Sequence, residues 1–571
     1  MRFATLVCAA LVAAPALHAQ ADPIAGDCED GTASAELDAA DVRAELFNTG
    51  VLFFNGGDGQ YEVPNGSGLI SVFAASYWLG GTVGGEVRVA GATYTQGGPG
   101  YEFWPGPLGP GGAAPTRASC AAADRIWRVT VDDVIAYNVS GEATPDLAEW
   151  PVALGAPVLD GDGVAGNYDL AAGDRPAILG GETAWWVMND RGGLHTSLGA
   201  QRIGARSRPG PPLGIELRVT AFSFPEAYTL RRYGPPAVVA SADLALQTFY
   251  RVEVRNGNTE DAIDDLSFAY WTDTDLGNFG DDYFGSDSLL ALAYTYNSDD
   301  LDEGSTGYGD RPPALGSTFL NAPLAGALYY TGASNIGSPN GSQETYNYLD
   351  GRLRNGDLRT EGFDGTDPDQ PPTPFMFSGR PPAYWSEFDS DPAPGLQPNA
   401  PGDRRFLSYV RRDRLGPGET WTLDLAMVWA QAETGGALAS LEKMLRQTGR
   451  TRDLYQNVGL FTPDARLRTL LPPEAEAEPE PAFPDRLALG QRPRPHPVAA
   501  ASVLDVRVPE TAEATLDVFD ALGRLVAELP LVAGQETVAL GALGLAPGAY
   551  LARLRADGQA GSRVVQFIVT R

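Results

Sequence analysis

Short apolar or alternating stretches, separated by glycine clusters, run through most of the chain, and this pattern is typical of β-strands joined by turns. The predicted strands are 47–54, 69–79, 86–94, 125–134, 183–188, 214–224, 245–255, 289–296 and 420–430. A further apolar tract at 375–380 is predicted to be a buried strand. Leucines recur at helical spacing after Gly436, and they predict one amphipathic helix over 437–448.

The chain divides at the segment 471–484, which reads LPPEAEAEPEPAFP. Such a sequence cannot bury a core and keeps the backbone extended, so 471–486 is predicted to be a linker. It separates a β-rich body, 22–470, from a small domain, 487–571, in which alternation predicts an immunoglobulin-like β-sandwich. The predicted fold class is mainly β, and the Gly/Pro/Asp-rich tract 301–402 is expected to hold extended loops.

The N-terminus has the pattern of an export signal. Arg2 precedes the apolar run 3–17, and Ala19-Gln20-Ala21 places small residues at the usual cleavage spacing. Residues 1–21 are therefore predicted to be a signal peptide. Because no later stretch approaches the roughly 20 apolar residues of a membrane helix, we expect an exported chain with no transmembrane segment.

Few cysteines and histidines remain after this signal. Cys28 and Cys120 can form one disulfide in an oxidising compartment, and two free thiols are the alternative. The two histidines, His195 and His496, lie far apart in the sequence, which excludes zinc sites and mechanisms that need paired histidines. His195 follows a glycine-rich turn and is predicted to be a polar loop residue.

The charge of the chain is strongly acidic, with 73 Asp and Glu against 41 Lys and Arg and a formal net charge of -32. Nucleic acid is a poor partner, because binding it depends on basic side chains that neutralise phosphates. Such acidity suits cation binding, and a solvated surface is the competing interpretation.

The first acidic loop offers Asp160, Asp162, Asn167 and Asp169 as metal ligands. Calcium takes six to eight oxygen ligands, and Asp alternating with Gly lets a tight loop turn carboxylates and carbonyls inward. Calcium is therefore a candidate cofactor. The alternative is a surface turn stabilised by hydrogen bonds from Asp side chains to the backbone.

The second acidic stretch offers Asp273, Asp275, Asp281, Asp282 and Asp287. Carboxylates this close in sequence repel one another unless they are solvated, protonated or bridged by a cation. We therefore interpret this stretch as a second candidate calcium site at a strand end, with a solvated face as the competitor.

The same carboxylates support an alternative hypothesis of enzymatic activity. Glycoside hydrolases place two carboxyl groups across a sugar, and Trp271, Tyr283 and Trp104 could supply a stacking platform. Against this, tryptophans mostly fill cores, and the sequence shows no general acid in an apolar context.

The last eighty or so residues resemble the type A C-terminal sorting domain of cargo for the type IX secretion system of Bacteroidota-like bacteria. The matching residues are Pro495, Pro497, Asp520, Gly523, Arg524, Leu545, Pro547, Gly548 and Tyr550. His496 departs from the family, which usually has Asn there, and the final strand lacks a common lysine. The resemblance implies export to the periplasm, transfer across the outer membrane by the type IX machinery, and release or surface attachment.

Parts of the body resemble uncharacterised surface proteins of the same secretion system. The shared positions are Gly173-Asp174, Trp185-Trp186, Asn189-Asp190, 273–277, Asp281-Asp282 and 403–406. We interpret the protein as a secreted or cell-surface structural, adhesive or glycan-contacting module. Its expected partners are the secretion machinery and an extracellular polysaccharide or another surface protein, and the alternative function is an extracellular carboxylate-dependent, glycosidase-like hydrolase.

Overall fold

The computed structural model divides into two compact units, Met1–Leu471 and Pro472–Arg571. It describes residues 28–94, 102–192, 195–203, 206–225, 244–332, 336–361, 365–383, 385–389, 399–463, 488–489, 502–508, 514–520, 524–535, 537–556 and 559–569. The predicted signal peptide and linker lie outside these residues, as do Pro495, His496, Pro497 and Gly523.

The first unit consists mainly of β-strands. In chain order they are β1 (Ser34–Leu37), β2 (Arg43–Phe47), β3 (Val51–Leu52), β4 (Tyr61–Glu62), β5 (Ile70–Val72), β6 (Ala74–Val83), β7 (Glu86–Gly91), β8 (Trp104–Pro105), β9 (Trp127–Thr130), β10 (Val158–Leu159), β11 (Arg175–Pro176), β12 (Glu182–Asn189), β13 (Gln201–Ile203), β14 (Arg206–Arg208), β15 (Ile215–Ser223), β16 (Gln247–Asn256), β17 (Ile263–Thr274), β18 (Asp282–Asp287), β19 (Leu292–Asn297), β20 (Ala314–Phe319), β21 (Gly326–Tyr330), β22 (Arg404–Leu415) and β23 (Thr420–Ala430). The α-helices are α1 (Arg117–Ala123), α2 (Val131–Ser140), α3 (Pro145–Ala148), α4 (Ser342–Leu349) and α5 (Gly436–Val458).

Two large antiparallel sheets organise this unit. The ten-stranded sheet has the order β21-β22-β17-β6-β3-β2-β4-β5, with β1 beside β2 and β7 beside β6. The nine-stranded sheet has the order β18-β19-β20-β23-β16-β15-β12-β8, with β9 beside β12. The prediction of a mainly β fold is confirmed.

The two large sheets share one apolar core. Tyr270 of the ten-stranded sheet lies between them: its ring centroid is 6.1 Å from that of Tyr250, and its hydroxyl is 3.2 Å from the sulfur of Met427. Tyr250 and Met427 belong to the nine-stranded sheet. The sheets therefore pack face to face as a β-sandwich.

Strand β12 shows why several predicted strands are apolar without alternation. Ala184, Trp186 and Met188 face the shared core, whereas Trp185 and Val187 face a separate cluster with α2 and α3. Successive side chains of a strand point to opposite faces. A strand that is buried on both faces therefore reads as a continuous apolar run.

The predicted C-terminal helix of the body is present as α5, which is longer than expected. Leu441, Met444 and Leu445 pack in one apolar cluster with Tyr294 and Phe249 of the nine-stranded sheet. The helix therefore covers the face of that sheet that points away from the shared core. Helices α1 to α4, which precede it in the body, were not predicted from the sequence.

The predicted strand 125–134 is only half correct. Strand β9 ends at Thr130, whose hydroxyl accepts from the backbone N–H of Asp133, while the Asp133 carboxylate accepts from the Thr130 N–H. This reciprocal capping box starts α2 at Val131.

The predicted strand 375–380 is wrong. Met376 and Phe377 are buried, but the tract forms only one isolated bridge, between Phe375 and Ala327. Side-chain burial, rather than sheet pairing, explains its apolar sequence. The tract 301–402, expected to be loops, also contains β20, β21 and α4.

The second unit has two small sheets around one apolar cluster. Its strands are β24 (Ala488–Leu489), β25 (Val503–Arg507), β26 (Ala514–Asp520), β27 (Leu525–Leu531), β28 (Thr537–Ala539), β29 (Gly548–Ala556) and β30 (Gln559–Val569). The sheet orders are β24-β25-β28 and β27-β26-β29-β30. Leu504, Leu516, Val538 and Phe567 meet in the cluster, as expected for a small sandwich.

Candidate functional site

The first acidic loop lies between β10 and β11, which pair as a short hairpin. One oxygen from each of Asp160, Asp162 and Asp174 lies within 4.8 Å of the other two. Asp160 and Asp162 are exposed, whereas Asp174 is buried at the base of the loop. Among the described residues, no other set of three His, Cys, Asp or Glu side chains lies close enough together to hold one metal ion.

Backbone donors fix the Asp174 carboxylate in place. The N–H of Gly161 donates to one oxygen and the N–H of Asp169 to the other, each at 2.7 Å. A Cβ at position 161 would lie 2.3 Å from the carbonyl carbon of Gly173, so only glycine allows the two ends of the loop to touch. Sequence analysis missed Asp174 as a ligand, although Gly173-Asp174 stood among the shared positions.

The other residues predicted for this loop have different places. The amide of Asn167 donates to Asp162 at 2.9 Å, so Asn167 lies beside the group. The Asp169 carboxylate accepts from the N–H of Ala172, as in the alternative of an Asp turn. Asp160 and Asp162 also accept from backbone N–H groups of Gly163 and Val164. Three carboxylates and the nearby carbonyls suit the hard oxygen coordination of calcium.

The second acidic stretch does not come together as one cluster. Asp273 and Asp275 lie at the end of β17, Asp281 and Asp282 at the start of β18, and Asp287 at its far end. Five residues of extended strand span about 17 Å, which separates Asp287 from the others. Its carboxylate accepts from the backbone N–H groups of residues 289 and 290 at 3.0 Å.

Asp281 and Asp282 help to hold the turn that precedes β18. Asp282 is fully buried, and burial raises its pKa well above the usual value. Burial also raises the pKa of Asp281 to about 7, and its carboxylate accepts from the Asn278 amide at 3.2 Å. The nearby Asp302 accepts from the N–H of Asn278 at 3.0 Å.

Asp273 lies in a mixed polar and aromatic environment at one end of the ten-stranded sheet. Arg405 stands directly opposite on β22, with its Nε 3.5 Å from Asp273 Oδ1. The hydroxyl of Tyr94 donates to Asp273 Oδ2 at 2.8 Å. Arg405 also forms a close ion pair with Asp403. Asp275 follows β17 nearby.

Half-buried aromatic rings continue this surface. The ring of Tyr94 lies 5.9 Å from that of Phe54 and 6.0 Å from that of Phe73, and it packs edge-on against Trp271 at 5.3 Å. We call the six residues Phe54, Phe73, Tyr94, Asp273, Asp403 and Arg405 the strand-end site. Sequence analysis singled out only Asp273 as a site residue here, although Asp403 and Arg405 stood among the shared positions.

Burial changes the acidity of the carboxyls at this end of the sheet. Burial, reinforced by the charge of Asp403, raises the pKa of Asp273 to about 8 and that of Asp275 to about 6. Sequence analysis found no acid in a setting that would raise its pKa, and it missed Asp273 and Asp275 because their burial depends on residues distant in sequence. The proposed stacking platform is also not formed, since Trp271 is fully buried and Tyr283 and Trp104 belong to the other sheet.

His195 is not the polar loop residue that was predicted, because its ring is fully buried. Its Nδ1 lies 2.8 Å from the carbonyl oxygen of Val89, and its Nε2 lies 2.9 Å from that of Asp190. Carbonyl oxygens only accept hydrogen bonds, so both ring nitrogens can donate only when the imidazole is protonated. Burial opposes the charged form, but the nearby Glu102 and Asp190 favour it and raise the pKa of His195 above its usual value.

Cys28 and Cys120 are joined in a disulfide that closes a loop across 92 positions of sequence. Cys120 lies on α1, and Cys28 precedes β1. The bond therefore connects the first described segment to the helix that precedes β9.

The described residues among those that resemble a sorting motif occupy turns and strand starts in the second unit. The Asp520 carboxylate accepts from the N–H of Arg524 at 3.0 Å and from its guanidinium at 2.7 Å. The Tyr550 hydroxyl donates to the carbonyl of Ala546 at 2.7 Å, which closes the turn that contains Pro547 and leads into β29 at Gly548. Leu545 packs against the apolar cluster of this unit.

Family models and curated proteins were compared with this chain first, and solved structures after them. No family model and no curated protein matches it. Among solved structures, a C-terminally truncated trimeric ectodomain of the C. elegans fusion protein EFF-1 aligns over 95% of each chain, at 8% identity and a TM-score of 0.11. That likeness is too low to carry an argument. Among the described residues, no helix is long and apolar enough to span a membrane.

Proposed function

We propose that this chain is a secreted or cell-surface protein whose body is a calcium-stabilised structural or adhesive module that contacts an extracellular polysaccharide or another surface protein. The C-terminal unit directs its export through the type IX secretion machinery. Support for export comes from the signal-like N-terminus and from the residues that resemble a sorting domain. A disulfide suits the oxidising compartments outside the cytoplasm.

The observation that carries the calcium part is the convergence of Asp160, Asp162 and Asp174 within 4.8 Å. Three carboxylates at this separation repel one another, and a divalent cation would convert that repulsion into attraction. The loop encloses no histidine or cysteine, so its donors are hard oxygens that favour calcium over zinc. Calcium bound there would rigidify the hairpin of β10 and β11.

The calcium site predicts a metal-dependent melting temperature for the secreted chain. Calcium at a hundredfold its dissociation constant should stabilise the protein by about 2.7 kcal/mol relative to chelator. We expect this shift to disappear in Asp162→Ala and in Asp174→Asn, measured by calorimetry with and without calcium. Asp413→Ala, at an exposed position on β22, is the control and should keep the shift. An equal melting temperature in calcium and chelator would refute the calcium site.

A second candidate function is a carboxylate-dependent hydrolase. The specific observation is the raised pKa of Asp273, about 8, beside Asp275 and Asp403. A carboxyl group that keeps its proton near neutral pH can act as a general acid while a second carboxylate stays ionised. Release of new reducing ends from a polysaccharide, lost in Asp273→Asn, would favour this candidate over the binding module.

A further inference from the structure

The strand-end site contains polar atoms that have no hydrogen-bond partner. Within the described residues, Asp273 Oδ1, Asp403 Oδ1 and Arg405 Nε are shielded from solvent and make no hydrogen bond. Asp273 as a whole is only 4% exposed. Buried polar groups in proteins are almost always paired. Arg405 Nε and Asp273 Oδ1 face each other in an ion pair whose 3.5 Å separation is too long for a good hydrogen bond, and Asp403 Oδ1 makes none. The polar groups at this strand end therefore have hydrogen-bonding capacity for a further partner.

The charges around these atoms restrict what that partner can be. Arg405 lies 3.5 Å from Asp273 and pairs with Asp403, so its guanidinium already occupies the position that a bound cation would need. An anion would meet the carboxylates of Asp273, Asp275 and Asp403. A neutral hydroxyl fits both sides, because it can accept from the arginine guanidinium and donate to a carboxylate oxygen.

The aromatic rings indicate a hydroxylated ligand larger than water. Tyr94 links the polar atoms to Phe54 and Phe73, since its hydroxyl bonds to Asp273 and its ring contacts both phenylalanines. The two phenylalanine rings are only half-buried. A pyranose ring has hydroxyls at its edge and an apolar C–H face, which matches polar atoms beside aromatic rings.

The backbone next to Phe54 has a strained conformation, which is common at ligand sites. Phe53 has a φ of 66°, in the left-handed region that aromatic residues rarely adopt, and its ring is fully buried against Tyr61 at a centroid distance of 4.7 Å. Such a conformation persists only where the surroundings enforce it, and these positions concentrate at ligand sites. This residue keeps Phe54 beside Phe73, where their ring centroids are 5.1 Å apart.

We propose that the strand-end site binds a neutral sugar unit of a polysaccharide. Hydroxyls of the sugar would pair with the guanidinium of Arg405 and the carboxylate of Asp403, whose side chains are 24% and 36% exposed, and its apolar face would lie on Phe54 and Phe73. The buried Asp273 would hold Arg405 and Tyr94 in place beneath the sugar. This inference rests on the proposed function, in which the body contacts an extracellular glycan, and it names the residues and the class of ligand.

The test is affinity electrophoresis and calorimetric titration of the secreted chain with four neutral polysaccharides, namely dextran, laminarin, xylan and mannan, and with alginate as a charged comparison. We expect at least one neutral polysaccharide to bind, and we expect Arg405→Gln and Phe73→Ala to weaken that binding at least tenfold. Arg414→Gln is the matched control, since this arginine lies near the other end of β22 in an exposed pair with Asp264 and should leave binding unchanged.

Each variant must also keep the circular dichroism spectrum and the cooperative thermal unfolding of the wild type, which shows that the body is folded. Binding of none of the neutral polysaccharides, or of alginate alone, would overturn the proposal. Unchanged binding by Arg405→Gln would overturn it too. A calcium shift without sugar binding refutes only this inference, whereas sugar binding without a calcium shift refutes only the calcium site.

Discussion

Individual residues in this protein combine burial and charge in ways that the sequence does not reveal. Glu387 and Arg404 form an ion pair at 2.6 Å with side chains only 0% and 4% exposed. The Glu387 carboxylate also accepts from the Asn399 amide at 2.8 Å, and Arg404 lies over the ring of Tyr329. Because both side chains are buried, removing either one would leave the other charge buried without its counter-charge.

We predict that Arg404→Leu destabilises the body by about 3–5 kcal/mol, because it leaves the Glu387 carboxylate buried without its counter-charge. Denaturant unfolding of the secreted chain measures the change. The double variant Glu387→Leu with Arg404→Leu removes both charges and should recover a large part of the loss. A single variant as stable as the wild type would contradict this account.

The candidate sites could be predicted only where their residues lie close in sequence. Asp160 and Asp162 were found from their spacing alone. Tyr94 lies 179 positions from Asp273, and Arg405 reaches Asp273 only through the pairing of β17 with β22. No local pattern encodes such neighbours. Asp287 shows the opposite error, since proximity in sequence suggested a cluster that strand β18 separates.

At the scale of elements, the periodicity of apolar residues identified the long apolar strands. It failed where a strand is charged or where a capping box starts a helix. β12, β15, β16 and β23 were predicted within two residues of their bounds. β22 was missed because its second half, Arg411–Arg414, is charged and exposed. The start of α2 was missed although Thr130 and Asp133 have the spacing of a capping box, which is a local signal of a helix start.

At the same scale, the disulfide ties the segment before β1 to helix α1. Closing a loop across 92 positions restricts the unfolded chain, so we predict that Cys28→Ser with Cys120→Ser lowers the free energy of unfolding by about 2–5 kcal/mol. Denaturant unfolding of wild type and double variant measures this difference. Reduction of the wild type should produce the same loss and leave the double variant unaffected. Equal stability of the two proteins would show that the bond does not constrain the fold.

At the scale of the whole first unit, the sandwich brings together strands that are distant in sequence. Strand β6 pairs with β17, and β16 pairs with β23. Alternation predicts that such strands exist but not which ones pair, because pairing depends on the packing of the complete core. The fold class was therefore predictable, and the order of strands was not.

His195 joins the two large sheets. Val89 O belongs to β7 of the ten-stranded sheet, and Asp190 follows β12 of the nine-stranded sheet. Burial opposes its charge, but Glu102 and Asp190 raise the pKa of His195 above its usual value. Burial raises the pKa of Glu102 to about 7 and also raises that of Asp190, while the nearby Arg191 favours the ionised form of Asp190.

All three pKa values lie above those of the unfolded chain, so stability from this cluster is greatest in acid and falls as pH rises. The loss from Glu102 is spread between about pH 4 and pH 7, and the loss from His195 begins near pH 6.5. His195 and Glu102 shift each other's pKa, so both have to be replaced to remove this pH dependence. We predict that the melting temperature of the wild type falls between pH 6.5 and pH 9 more steeply than that of the double variant Glu102→Gln with His195→Gln. His496→Gln is the control and should follow the wild type. Parallel pH profiles for the wild type and the double variant would contradict the assignment.

The buried polar atoms of the strand-end site that make no hydrogen bond have a consequence for how this protein can be engineered. Each buried polar group without a partner costs about 1–3 kcal/mol of stability. Replacing Asp273, Asp403 and Arg405 with apolar residues of similar volume should therefore give a body that resists heat better and recognises nothing there. A selection for thermostability alone, without selection for binding, would therefore favour the replacement of these three polar residues. Heat resistance and recognition oppose each other at this one place in the sheet.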